Sequence, residues 1–145
     1  MALELLDRLH GEVLYQDEQL CVCKDEAELQ VLMINPSYIH PMMSIHARYL
    51  QYQALEIVLT LQQLPPTRYL FKTYSLDKDH GGIYNDWLRL GGLAELDAET
   101  LAYFQKKIML QFEAAVEERQ EDLHLRETLS FNACRLITFK PLLLD

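Results

Sequence analysis

The chain has 145 residues, of which 50% are apolar and 24% charged, with a net charge of −9. That length fits one domain of about 100–150 residues, able to bury a core without disulfides or a structural metal. The acid excess repels a nucleic-acid backbone and an anionic bilayer alike, and the tightest basic pair, Lys106-Lys107, sits among acidic neighbours.

Residues 2–10 read as a short helix with Leu3, Leu6 and Leu9 on one stripe and Gly11 as its stop. Two apolar runs, 13–15 and 20–23, flank Gln16-Asp17-Glu18-Gln19 and predict a β-hairpin. The run 29–34 is apolar on both faces, which predicts a central strand covered on each side, ended by Asn35-Pro36-Ser37. Between 41 and 64 the apolar residues, among them Tyr49, Tyr52, Leu55, Ile57, Val58 and Leu61, wrap more than half of a helical circumference. This predicts a first long helix, stopped by Pro65-Pro66.

A fourth strand is expected over 68–74, then a polar loop, then a short helix over 85–90 capped by Asn85 and closed by Gly91-Gly92. Asp97 is a strong N-cap for a second long helix over 98–121, with Leu101, Phe104, Ile108, Phe112, Ala115 and Val116 as its stripe. The alternation from Thr128 to Lys140 predicts one long final strand, and Leu142, Leu143 and Leu144 then dock on the domain or on a neighbour. The fold class expected is α/β or α+β: one domain over 1–145, with a single mixed sheet of about five strands (the chain supplies five such runs) packed against two long helices.

No motif assigns a reaction. The polar loop from Ser75 to Trp87 holds the densest cluster, and Asp77, Asp79, His80, Tyr84 and Trp87 are its candidate ligand-binding residues. Asp79 and His80 offer acid and base, and Trp87 a stacking surface. The competing reading is a solvated turn that uses Asp and Gly for their geometry. Gly81-Gly82 is too short for a phosphate cradle. His40 and His46 are six residues apart, where a helical metal pair wants four. Cys21 and Cys23 point to one face of a strand and are poorly placed to bridge each other, and Cys134 lies in a strand rather than at a helix N-terminus. No catalytic residue, metal site or cofactor is expected.

The stretch Leu14-Tyr15-Gln16-Asp17-Glu18-Gln19-Leu20, followed by Glu28-Leu29-Gln30-Val31-Leu32, resembles the opening strands of STAS/SpoIIAA-like small bacterial regulatory domains. Gln53-Ala54-Leu55-Glu56-Ile57-Val58 and Arg68-Tyr69-Leu70-Phe71 resemble that family's first helix and next strand, and Asp86-Trp87-Leu88 its next helix. The resemblance covers residues 13–90 and implies a non-enzymatic, protein-binding regulator. Thr73-Tyr74-Ser75-Leu76-Asp77 lacks the Asp-Ser/Thr pair that takes phosphate in the anti-anti-sigma members.

The sequence thus points to a cytoplasmic protein-interaction or regulatory domain, acting as a homodimer through Tyr49, Tyr52, Leu142, Leu143 and Leu144. Its expected partner is a protein or a second copy, with no nucleic acid and no membrane. The alternative is a small-ligand-binding protein or enzyme that uses the 75–87 loop.

Overall fold

The computed structural model describes residues 2–37 and 53–142, the side chain of Tyr84 excepted. Tyr49, Tyr52, Leu143, Leu144, His40 and His46 lie outside the described residues, as does the first half of the helix expected over 41–64. In chain order the elements are α1 (Ala2–Asp7), β1 (Glu12–Gln16), β2 (Leu20–Lys24), β3 (Leu29–Ile34), β4 (Leu55–Leu61), β5 (Thr67–Leu76), α2 (Tyr84–Arg89), α3 (Ala98–Lys107), β6 (Gln111–Arg119), β7 (Leu123–Leu129) and β8 (Cys134–Leu142). Six strands form a sheet in the order β1-β2-β3-β8-β5-β6, and β4 pairs with β7 in a second sheet. Every pairing is antiparallel.

This overturns the expectation of one mixed five-stranded sheet against two long helices. The architecture is a two-sheet β-sandwich, and the three helices described span 6, 6 and 10 residues. The misreading has identifiable causes. Leu55–Leu61 alternates half-buried and exposed residues along its whole length, with Leu55, Ile57, Leu59 and Leu61 turned inward. That period of two belongs to a strand, and the β-branched Ile57, Val58 and Thr60 favour one.

The second long helix starts where expected, with Asp97 Oδ1 accepting from the Thr100 N–H at 2.7 Å, but it ends at Lys107. Residues 111–119 instead pair with β5 along nine positions, from Thr67 opposite Arg119 to Ser75 opposite Gln111. Tertiary pairing overrides a stretch whose apolar spacing also fits a helix. The single strand expected over 128–140 is two strands, divided near Asn132, which adopts φ 51°. β7 joins the small sheet and β8 the large one, so the chain crosses between layers at this corner.

Asn35 fastens the corner. It is 5% exposed; its Nδ2 donates to the carbonyls of Gln53, Leu129 and Ser130, and its own N–H bonds the Ala133 carbonyl. The proposed central place of β3 holds, since it lies between β2 and β8 with five of its six residues buried. Its side chains divide by parity. Leu29, Val31 and Met33 join Val22, Tyr69, Ile137 and Phe139 against Leu123, Leu129, Ile57 and Leu59 of the small sheet. Leu32, with Leu136, faces outward beneath Leu5 of α1, which is 1% exposed.

Gly11 lets the chain pass from α1 into β1. Its φ is +88°, and a Cβ there would sit 2.3 Å from the Lys24 carbonyl oxygen. Next to it, His10 clasps the β2–β3 turn. Its Nδ1 lies 2.8 Å from the Arg8 carbonyl oxygen, and its Nε2 is 2.8 Å from an Asp25 carboxylate oxygen. Both neighbours are acceptors only, so the ring makes both bonds as imidazolium. The Arg8 carbonyl foremost, then the charges of Asp25 and Glu28, raise its pKa above the ordinary histidine value. Asp25 in turn is held below the usual carboxylate range, first by the Glu28 and Ala27 backbone N–H groups and then by His10.

Two outcomes follow. Phe139→Ala, at 2% exposure, lowers the urea-unfolding free energy by about 3–5 kcal/mol, whereas Val58→Ala, at 66% exposure, changes it by less than about 0.5 kcal/mol. A group whose pKa is raised by folding adds stability below its unfolded value, and that stability is lost as pH rises through the folded value. Hydrogen-exchange protection of the α1 amides, corrected for intrinsic rates, therefore falls as pH climbs from about 6 to 8. His10→Asn removes that dependence; a pH-independent wild type contradicts the clasp.

Candidate functional site

The loop between β5 and α2 is built around Asp77. Its Oδ1 accepts from the N–H groups of Asp79 and His80, both at 2.9 Å, and lies 2.9 Å from His80 Nδ1. Backbone bonds between Asp77 and His80 run in both directions, at 2.9 and 3.3 Å. The carboxylate and imidazole are thus brought together, but the oxygen they share already carries the turn amides. Asp79 faces Lys78 at 3.4 Å on the surface.

Asn85 does not cap α2. The cap position is Ile83, and Asn85 Nδ2 donates to the Lys78 carbonyl, tying the first turn of the helix to the loop. Trp87 Nε1 donates to the Leu93 carbonyl at 2.8 Å. A Cβ on Gly92, at φ +66°, would come within 3.4 Å of the indole, so the ring lies against the helix stop. The loop therefore pairs Asp77 with His80, while Trp87 is held by residues 92 and 93. Of the tail leucines, Leu142 is described: it ends β8 half-buried opposite Arg68, and its carbonyl accepts from Thr67 Oγ1.

A concavity of about 660 Å³ lies elsewhere, at the mouth of the sandwich. Leu14, Val22, Leu59, Leu61 and Leu64 give it apolar walls, Tyr69 lies in it, and Lys24, Asp25, Glu26 and Glu28 of the β2–β3 turn form a mostly acidic rim. The Tyr69 hydroxyl donates to the Pro65 carbonyl at 2.6 Å, and burial pushes its pKa up. No sequence motif marked this cleft, because its residues come from four separate stretches.

Cysteine chemistry is quiet. Cys21 and Cys23 share a face, with sulfurs 3.8 Å apart, and all three thiols are free. Burial raises the pKa of Cys21 and of Cys134, away from nucleophilic thiolate. Among the described residues no group of three or more His, Cys, Asp or Glu side chains could hold a metal ion. None of the helices described is long and apolar enough to cross a membrane.

The most unusual feature is the apolar surface left uncovered. Val13, Leu14 and Tyr15 on β1, Leu101 and Tyr103 on α3, Ile108 and Met109 beyond it, and Phe112 and Val116 on β6 are each at least 41% exposed. Phe112 and Val116, expected inside a helix stripe, lie on the outer face of an edge strand. Tyr74 packs across from Phe112 with ring centroids 5.1 Å apart. The signal for this placement was the Phe-Glu alternation at 112–113 and Val-Glu at 116–117, interrupted by Ala114-Ala115.

No family model matches the chain. It is 22% identical over 137 residues to a protein of Staphylococcus aureus named an uncharacterised HTH-type transcriptional regulator, covering 94% of this chain and 18% of that protein. A protein of the same description from strain COL is 22% identical over 129 residues, 88% of this chain and 16% of its own length. The chain therefore spans less than a fifth of these curated relatives. Among solved structures, a monomeric beta-xylosidase from Caulobacter crescentus CB15 superposes with a TM-score of 0.76 at 18% identity, over 98% of this chain and 30% of that one. The GH39 enzyme from Xanthomonas axonopodis pv. citri gives 0.72 at 14% identity, over 97% and 29%. The sandwich described above is thus a fold that recurs as under a third of larger chains.

Proposed function

We propose that this chain is a non-enzymatic regulatory module that works by docking to protein. The observation that carries the reading is the distribution of large hydrophobic residues. Among the described residues fourteen are strongly exposed, about as many as the fifteen hydrophobic residues buried in the core, and several adjoin along β6 and from α3 to Met109. Single exposed apolar residues are ordinary, but adjoining ones mark surfaces that meet a partner. The names of the weakly similar relatives support a regulatory setting. Those names also bring nucleic acid into view. With a net charge of −9 on this chain, we assign DNA contact to parts of such proteins that it does not correspond to.

A second reading rests on the mouth cleft rather than on the 75–87 loop. Apolar walls beneath a mostly acidic rim suit a small apolar ligand with a cationic end.

Deleting the chain in its host changes a defined set of transcripts, and the wild-type sequence supplied in trans restores them. Met109→Asp, at a residue 69% exposed, leaves the thermal melt unchanged and fails to restore the transcripts. The purified protein leaves duplex DNA unshifted and does not hydrolyse aryl xylosides. An unaltered transcriptome, or turnover of a xyloside, contradicts the regulatory reading. A ligand-induced rise in melting temperature that Leu59→Asp abolishes selects the cleft instead.

A further inference from the structure

We propose that β6 is the edge on which a second copy of this chain adds, antiparallel and two-fold, with Ala114 opposite its own counterpart. The inference rests on the protein-docking reading and names its partner.

A sheet edge presents a row of unpaired N–H and C=O groups that another strand can complete, and proteins blunt such edges with bulges or charges. The two edges of the large sheet differ in this respect. β1 is five residues long and its pairing with β2 skips at Leu14, a bulge that breaks the ladder. β6 is nine residues long, pairs with β5 in unbroken register, and is exposed from Phe112 through Glu118. Its charges divide by face. Glu113 and Glu117 stand on the inner face with Ala115, opposite Thr73, Tyr69 and Phe71. The outer face carries Phe112, Ala114 and Val116, ending in Glu118.

Two-fold pairing of β6 with itself keeps like faces together only when the axis passes beside a residue, and the candidate axes are few. At Glu113 the glutamate meets its own copy. At Ala115, Glu113 opposes the partner's Glu117 twice, placing like charges directly across the ladder, which is destabilising. At Val116, Phe112 lies opposite the partner's Gln120, beyond the strand, and Ala114 opposite the partner's Glu118. At Ala114, Phe112 meets the partner's Val116 and Val116 the partner's Phe112, with the two alanines between them. On the inner face of that register Gln111 opposes the partner's Glu117, and Glu113 the partner's Ala115. An apolar row forms on one face, an amide reaches a carboxylate on the other, and no glutamate directly faces another.

The register gives a sharp test. Directly opposed antiparallel residues have Cα atoms about 4.5–5.5 Å apart, within the range that a disulfide spans. Ala114→Cys, mildly oxidised, gives a covalent dimer, whereas Ala115→Cys and the wild type, with its three native thiols, do not. In light scattering the wild type shows the dimer mass, and Val116→Lys shows the monomer mass with an unchanged melt. A wild type that stays monomeric at every concentration overturns the proposal, as does faster crosslinking at 115 than at 114. If the wild type is monomeric but Met109→Asp still fails to restore the transcripts, the second copy is wrong and the docking reading stands. If the crosslink forms at 114 and every surface variant restores them, the dimer stands and the regulatory reading falls.

Discussion

The structure depends on the pairing of β3 with β8. Six consecutive pairs, from Leu29 opposite Phe139 to Ile34 opposite Cys134, join strands about a hundred residues apart in the chain. β8 then carries β5 on its other side over nine further pairs, and β5 carries β6. Without the β3–β8 seam the N-terminal hairpin has no sheet to join. The seam is also where both cores meet: Val31, Met33, Ile137 and Phe139 point into the sandwich, and Leu32 and Leu136 point out beneath α1. Loop closure over such a separation is entropically expensive, so it takes burial on both faces to offset it.

From this centre the sheet loses cover in both directions. The small β4–β7 sheet lies over the inner face of the middle strands, and apolar residues stand exposed on the strands at either end. At the β1 end that surface borders the mouth cleft, which is closed on its far side by Leu59, Leu61 and Leu64. At the β6 end the inner face continues as a concavity of about 520 Å³, where Glu113, Glu117 and Glu127 surround Phe71 and Ile137. Arg135 spans from Glu127 of the small sheet to Ser75 of the large one, so the two layers are pinned by charge at the point where the hydrophobic core runs out. The fold is thus firm in the middle and available at its margins.

How much of this the sequence disclosed varied with the competition between periods. The hairpin at 12–24 and the doubly covered strand at 29–34 were legible, because short apolar runs between acidic turns admit few alternatives. Asp97 was legible as a cap, since it acts within four residues of its own position. The end of α3 was not: Ile108, Phe112, Ala115 and Val116 satisfy a helical stripe, and only pairing with β5 turns 111–119 into a strand. Leu55–Leu61 was readable in principle, since a helix apolar over more than half its circumference is also what an alternating β-branched strand looks like when read with the wrong period. The mouth cleft and the Ala114 register were invisible for another reason. Each exists only once distant segments are placed side by side, and neither carries a local motif.

The most direct test of this account is residue-resolved native-state hydrogen exchange on the whole chain. The account predicts that hydrogen-bonded amides of 30–33 and 135–139 exchange only through global unfolding, at the slowest rates in the molecule. Along β6 it predicts alternation in the monomer, every second amide protected by β5 and the next one open, with the open set becoming protected as protein concentration rises. Fast exchange in β8, or β6 amides uniformly protected in dilute monomer, would contradict it.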